Sequence, residues 1–350
     1  MLLFEPGKDC LVCPYCGTEN PIPASHGVVR EQDFLAQLDS ASSGQDLIDV
    51  VTVHCATCGA ETTLAPNVTA GRCPFCGSPI VTQGASRRLI RPKSLLPFAI
   101  AREVAQGLFA QWLASLWFAP SNLTKRAESS GGLTGVYIPA WTYDCHTESE
   151  YTGERGDDYW ATETYTTVEN GKTVTRTRQV LRTSWHGVSG EVADDFDDLL
   201  VLASESLPAK QAAALEPWDL NHLIPYQDEY LSGFVAESYQ IDLAGGFERA
   251  KQLMQPTIES TIRSDIGGDH QRIGSVHSTY EAITFKHLLL PLWISAYRYQ
   301  GKTYRFLVNA RTGEVQGERP WSAVKITLLV LTILLVLLLL LFMANTHVST

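Results

Sequence analysis

The hydrophobic pattern divides the chain into helix-period, strand-period and unbroken apolar stretches. Over residues 101–118, Val104, Leu108, Trp112 and Leu116 recur every four positions, and Pro120 follows. That spacing predicts an amphipathic helix whose bulky stripe faces the core. Residues 247–262 show the same period, with Ala250, Leu253, Met254 and Ile258 inward, and Pro256 is expected to kink or divide that helix. A short helix is predicted over residues 31–38 with Phe34, Leu35 and Leu38 on one side, followed by a Ser/Gly-rich linker at 40–44. From Gly135 the pattern turns to strands, beginning with the aromatic and β-branched run 136–143. Two polar strands then flank Asn170-Gly171, a strong two-residue hairpin signal. In that register Glu169 meets Lys172, Glu163 meets Arg178 and Tyr165 meets Arg176. The basic stripe of Lys172, Arg176, Arg178 and Arg182 therefore reads as cross-strand charge pairing rather than a phosphate site. Residues 292–299, 303–308 and 314–315, punctuated by Gln300-Gly301 and by 309–313, predict an antiparallel meander. The expected fold class is α+β and sheet-rich.

Residues 326–344 carry no charge and are dominated by leucine. As a helix they span about 28 Å, near the thickness of a bilayer's hydrocarbon core. A buried core helix is the alternative, but the run has no polar face. Arg319 and Lys325 precede it and no Lys or Arg follows, so the positive-inside bias places residues 1–325 in the cytoplasm and six residues outside. The expected topology is a tail anchor.

Composition is that of a folded chain, 45% hydrophobic and 19% charged, with a net charge of −11. That balance argues against a broad nucleic-acid surface, which needs clustered Lys and Arg. Arg87, Arg88, Arg91 and Lys93 form a short basic run, read as a solvated linker before nucleic acid or anionic lipid. Asp194, Asp195, Asp197 and Asp198 lack the spacing of a calcium loop and are read as a solvated turn.

The chemistry concentrates in three Cys-x-x-Cys pairs, Cys13/Cys16, Cys55/Cys58 and Cys73/Cys76, each followed by glycine. Cys55 to Cys76 reads C-x2-C-x14-C-x2-C, the spacing of a zinc ribbon, with strand at 62–64 and a turn at Pro66-Asn67. Disulfides and buried free thiols are the alternatives. A redox role for Cys13-Pro14-Tyr15-Cys16 would need a helix after it, and Asn20-Pro21-Ile22-Pro23 cannot continue one. Sliding the chain by 60 residues lays Leu3-Phe4-Glu5-Pro6 on Thr63-Leu64-Ala65-Pro66 and Cys13–Gly17 on Cys73–Gly77. The first pair is thus expected to be the downstream half of a second ribbon repeat whose partner knuckle lies upstream of Met1. A degenerate site completed by Cys10 or His26 is the rival. Structural Zn2+ is the expected cofactor, held by Cys55, Cys58, Cys73 and Cys76, with Cys13 and Cys16 as a further pair.

No P-loop, zincin or nucleophile-elbow motif occurs. Asp265-Ile266-Gly267-Gly268-Asp269-His270 is the most suggestive local string and reads as a polar loop between helix and strand. Trp185-His186 and Cys145-His146 have no partner identifiable in sequence. No catalytic residue is assigned and the expectation is a binding module.

The strings CPYCGTENPIP, ETTLAPNVTAGRCPFCGSPIV, GVYIPAWTYD, GERGDDYW, FDDLLV, DIGGDHQRI, TFKHLLLPLW and VNARTGEVQGERP run from the first knuckle to the apolar stretch. Across them the chain resembles a bacterial family of tail-anchored zinc-ribbon membrane proteins often labelled primosomal protein N', superfamily II helicase. A helicase needs a P-loop, so the resemblance does not extend to that activity, and the chain departs from the family's two-ribbon pattern by lacking the first knuckle. The resemblance implies a membrane adaptor at the bacterial inner membrane, with scaffold proteins of SPFH or phage-shock type as partners in membrane stress. A nucleic-acid-binding accessory of replication or repair is the alternative, and an unrecognised hydrolase around Asp265–His270 the third reading. The expected organisation is a partial ribbon half (1–23), helix and linker (24–50), a ribbon (51–84), an α+β cytoplasmic domain of one or two subdomains (85–320), a transmembrane helix (326–344) and an external tail (345–350).

Overall fold

The computed structural model describes residues 2–24, 27–42, 47–63, 70–81, 85–120, 132–169, 172–299 and 302–348. The described chain begins with β1 (Leu3–Phe4), β2 (Cys10–Val12), β3 (Glu19–Pro21) and β4 (Gln32–Asp33), which leads into α1 (Phe34–Ser42). The cysteine-rich part follows as β5 (Leu47–His54), β6 (Glu61–Thr63), β7 (Ala70–Arg72), β8 (Pro79–Val81) and β9 (Ala85–Ile90). The body comprises β10 (Ser94–Leu95), α2 (Arg102–Ser115), β11 (Thr134–Glu169), β12 (Lys172–Leu202), α3 (Ala209–Ala213), β13 (Ile224–Pro225) and β14 (Val235–Ala236). It ends with α4 (Leu243–Ile266), β15 (His270–Tyr299), β16 (Lys302–Asn309), β17 (Val315–Gly317) and α5 (Ala323–Val348). The fold is α+β, built on one sheet whose spine runs β12-β11-β15-β10-β13.

Three long antiparallel strands carry the body. The hairpin register expected from Asn170-Gly171 holds from Glu169↔Lys172 through Cys145↔Phe196, then shifts at a bulge between Tyr143 and Cys145. The turn residues themselves, like Gln300 and Gly301 at the next hairpin, lie outside the described residues. The bulge corrects one reading: Asp194–Asp198 form no turn but part of β12. Asp198 takes φ 51° there, and its N–H donates to Asp144 Oδ1 (2.5 Å). Lys286, nearly buried, donates to Asp198 Oδ1 (2.5 Å) and lies 3.1 Å from Glu31. The acids are close together because a cation and backbone donors sit among them.

Helix α4 covers one face of these strands. Asp242 caps it by accepting the Gly245 N–H (2.7 Å). Phe247, Ala250, Met254, Ile258, Ile262 and Ile266 are buried against β11, β12 and β15. Leu253, expected inward, is half-exposed. The helix also runs unbroken through Pro256. Proline costs a helix about 3 kcal/mol, but Pro256 faces solvent, and the buried stripe on either side of it holds both halves to the sheet. Close approach depends on Gly246, where a Cβ would sit 2.2 Å from Tyr143 Oη. Tyr143 and Trp141 are wholly buried, and their polar atoms donate to the carbonyls of Leu243 (2.7 Å) and Ile241 (3.0 Å).

Helix α2 packs beside β16 and β17, in a core cluster with Tyr137, Leu289, Trp293 and Phe306. Its buried residues are Ala105, Phe109 and Leu113, with Leu108, Trp112 and Leu116 flanking them, whereas Val104 is exposed. The predicted stripe is therefore off by one position. An i, i+4 row advances about 40° per step at 3.6 residues per turn, so two adjacent rows both look like a face. In α1, similarly, Phe34 and Leu38 face the core while Leu35 is exposed. Ser40–Ser42, expected in a linker, continue that helix.

Candidate metal centre

All three Cys-x-x-Cys segments fold into the same turn. The N–H of Gly17, Gly59 and Gly77 donates to the carbonyl of Cys13, Cys55 and Cys73 at 2.9, 2.8 and 2.9 Å. The N–H of Cys13, Cys55 and Cys73 in turn donates to the carbonyl of Thr18, Ala60 and Ser78 at 3.0, 2.8 and 2.8 Å. The glycines take φ of 73°, 77° and 70°, a conformation other residues adopt with strain. Such a turn directs both thiols to one side.

The 60-residue repeat is visible in the strands as well. Cys10↔Pro21, Leu11↔Asn20 and Val12↔Glu19 pair across β2 and β3. Adding 60 to each number gives Ala70↔Val81, Gly71↔Ile80 and Arg72↔Pro79 across β7 and β8.

Two of the three turns meet. Cys55 Sγ lies 3.6 Å from Cys76 Sγ, and Cys58 Sγ lies 3.5 Å from Cys73 Sγ. All four sulfurs fall within 4.8 Å of one another. Four thiolates around a tetrahedral cation with metal–sulfur bonds of about 2.3 Å stand about 3.8 Å apart, so the cluster needs only small movements to close on an ion. Cys55, Cys73 and Cys76 are buried, Cys58 half-buried. The Cys58 thiol is pushed down to about 5, chiefly by a hydrogen bond from Cys73, whereas Cys73 is pushed up by the same contact and by burial. Burial also raises Cys76. One negative charge is thus accommodated by the thiols themselves; further ones call for a cation.

Docking fixes this unit on the body. Phe75, fully buried, joins Cys55, Cys73 and Cys76 in a cluster with Leu96, Val136, Ile138 and Leu290. Gln240 Nε2 donates to the Gly59 carbonyl (2.7 Å), Ser238 N–H to the Glu61 carbonyl (3.1 Å) and Thr63 Oγ1 to the Ala236 carbonyl (2.9 Å). The turn expected at Pro66-Asn67 and residue Leu64 lie outside the described residues.

Cys13 and Cys16 stay apart from the other four. Their hairpin packs elsewhere, with Phe4 against Tyr230 (4.9 Å between ring centroids) and the Gly7 N–H on the Phe98 carbonyl (2.9 Å). Among the described residues they gather no third metal-ligating side chain, Cys10 included. His26, the other proposed substitute, lies outside the described residues. Cys16 is exposed, and its thiol is lowered to about 7, first by the Thr18 hydroxyl 3.2 Å away.

The other sequence candidates fall in separate places. Arg88 lies 3.5 Å from Asp49, and Arg91 lies 3.8 Å from Asp228 and over the Tyr226 ring; the Arg87 side chain lies outside the described residues. Asp265–His270 forms the α4–β15 junction, as expected of a polar loop. Tyr151 Oη donates to Asp265 (2.5 Å), the Asp158 N–H donates to Asp269 (2.8 Å), and His270 Nε2 lies 3.2 Å from Asp158. His146 Nδ1 sits 2.6 Å from Asp195, and Cys145 is buried beside Met254. Glu31, Asp144 and Asp197 form a second acidic group, beside Lys286.

Sequence reasoning missed Glu237 and His287. Both line a cavity of about 150 Å3 between the cysteine unit and the body, walled by Ile48, Val50, Leu89 and Pro139. Burial pushes the Glu237 carboxyl up to about 8 and the His287 imidazole down to about 3. Neither ring nitrogen of His287 has a well-formed hydrogen bond, and the backbone at Ile90 and Arg91 offsets its desolvation only in part. Glu237 lies just past β14 and His287 within β15, and single residues so placed give no periodic signal.

A Bacillus subtilis (strain 168) protein described as uncharacterized protein YdjG is 26% identical to this chain over 238 residues. The match spans 68% of this chain and 66%, just under two thirds, of the relative. No family model matches the chain. No solved structure matches it.

Proposed function

We propose that the chain is a zinc-stabilised adaptor, anchored by α5 in a bacterial inner membrane, that presents a protein-binding arm to the cytoplasm. The observation that carries this reading is the free end of the long hairpin. β15 begins at His270, opposite Gly156, and beyond that point β11 and β12 pair only with each other among the described residues. Twelve residues of strand, 158–169, extend about 40 Å. One face of this arm pairs exposed Trp160 with exposed Leu181 amid threonines. The other carries Arg178 and Arg182 on Glu163, with Arg178 also over Tyr165.

A two-stranded ribbon buries little of its own, and its open edges and apolar pair are what a partner strand or pocket takes up. The four converging cysteines suit zinc in a closed structural site, which leaves no open position for catalysis. Helix α5 is long and apolar enough to cross a membrane, and none of its most apolar window is buried against the body. Scaffolds of SPFH or phage-shock type are the partner class proposed.

Affinity capture of the membrane-embedded protein tests the reading. The wild type is expected to retain a partner that a Trp160→Ala, Leu181→Thr variant with unchanged circular dichroism loses. Identical recovery by both would refute the arm as the binding surface, and recovery of replication proteins would replace the adaptor by the nucleic-acid alternative.

A further inference from the structure

Residues some 200 positions apart meet at the base of α5. Lys325 Nζ donates to the carbonyls of Trp117 (3.0 Å) and Ala119 (2.8 Å), just past the end of α2. The Ser322 N–H donates to the Phe118 carbonyl (2.8 Å). The Phe118 and Trp321 rings lie 6.3 Å apart, Trp117 and Phe118 6.4 Å, and the Arg319 guanidinium sits 4.4 Å from the Trp321 ring. The 117–119 turn is therefore clamped to the first turn of the apolar helix.

Within this clamp two large rings face outward. Trp117 is 81% exposed and Trp321 59%. Immediately beyond them the aliphatic side chains of α5 are exposed all round, from Ile326 to Leu340. Indole combines a wide apolar surface with one N–H donor, which suits the boundary between headgroups and acyl chains. Against water alone, two such rings would be an unrelieved apolar patch; beside a membrane-crossing helix they stand at the depth that indole prefers.

We propose that Trp117 and Phe118 form, with Trp321, an aromatic collar that inserts into the headgroup–acyl boundary of the bilayer crossed by α5. The inference rests on the membrane reading above and extends it. A helix alone would tether the body loosely. The collar adds a second contact rigidly joined to the sheet, because α2 stacks Phe109 on Phe306 (3.4 Å between centroids, 8° between planes). The body is then held at a fixed height and tilt.

The test uses the full chain in lipid nanodiscs containing phosphatidylcholine brominated near the headgroup end of its acyl chains. Bromine quenches tryptophan emission on contact. Comparing the wild type with Trp117→Phe isolates the Trp117 signal, and Trp160→Phe on the distant arm supplies the control. The expected result is that Trp117→Phe removes a bromolipid-quenched component while Trp160→Phe removes only an unquenched one. An unquenched Trp117 signal in a chain that resists alkaline extraction would overturn the collar and leave a protein as the occupant of that patch. Release of the chain by alkali would overturn the membrane reading itself, and the collar with it, and extraction reads that failure separately.

Discussion

Chelating the zinc proposed for the cysteine unit should loosen that unit and leave the body folded. The four sulfurs already stand within 4.8 Å of one another, with two pairs at 3.5 and 3.6 Å. Closing on zinc costs little rearrangement, so most of the binding energy remains available as stability. For structural zinc that energy is about 10–16 kcal/mol at neutral pH, comparable with the whole stability of a typical domain, about 5–15 kcal/mol. What remains without zinc is mainly the burial of Phe75, Val53 and Ile80 against the body, each worth about 1.5–3 kcal/mol. Ordering the unit costs about 1–2 kcal/mol for each backbone residue, which those three side chains cannot offset. The assay is elemental analysis of purified protein together with hydrogen exchange before and after chelation. A Cys73→Ser variant should lose tightly held zinc, while a Cys13→Ser, Cys16→Ser variant should keep it. Chelation should raise exchange in residues 47–63 and 70–81 and leave 136–143 and 285–294 protected. Zinc retained by Cys73→Ser, or lost from the Cys13/Cys16 variant, would refute the assignment of the site. Exchange rising equally throughout the body would refute the independence of its core.

Two further perturbations probe the body. Lys286→Met removes the cation among Glu31, Asp144 and Asp198, whose side chain is only 9% exposed; it should cost about 3–5 kcal/mol in urea unfolding near neutral pH, and a loss under about 1 kcal/mol would show that the bulge does not depend on it. His287, lowered from 6.5 to about 3 by desolvation, stays neutral in the native state while the unfolded chain takes up a proton. Between those values stability therefore falls as pH falls, by up to about 1.4 kcal/mol per pH unit. His287→Gln should flatten that slope, and an unchanged slope relative to the wild type would rule out this contribution.

Legibility in the sequence followed the range of the interaction that decides each feature. The Asn170-Gly171 turn is local, and it fixes a register that persists through 25 residues of each strand, from Glu169↔Lys172 to Cys145↔Phe196. That register fails at Asp144, whose bulge is set by Glu31, Thr284 and Lys286 from other strands and segments. Cysteine spacing encodes the four-sulfur cluster because two-residue spacers make two local turns. The surface on which the cluster docks, around Phe75, Val136 and Leu290, depends on the arrangement of the large sheet and leaves no mark in spacing. Helix existence was legible for α2 and α4, but the buried row of α2 was not, since Val104 and Ala105 compete for one face and packing on the sheet, Phe109 on Phe306 included, decides it. Continuity through Pro256 was likewise invisible, because its cost is local and its compensation lies in packing on the sheet.

The loop 265–270 acquires a mechanical meaning once the arm is considered. A ribbon of two strands about 40 Å long bends easily unless its base is braced, and the brace must reach both strands. β11 is held through Tyr151 on Asp265, the Asp158 N–H on Asp269, and the Asp269 N–H on the Gly156 carbonyl (2.9 Å). β12 is held through Thr183, which donates to Asp158 (2.7 Å), itself beside His270. Gly267 and Gly268 adopt φ of 64° and 72°, which lets the loop turn sharply enough to reach Gly156. The same loop ends α4, whose 24 residues extend about 36 Å back to Asp242, next to the residues that bind Gly59 and Glu61. A continuous strut thus joins the cysteine unit to the base of the arm. The two acids and the histidine that look like chemistry in sequence are each engaged in holding that strut to the hairpin.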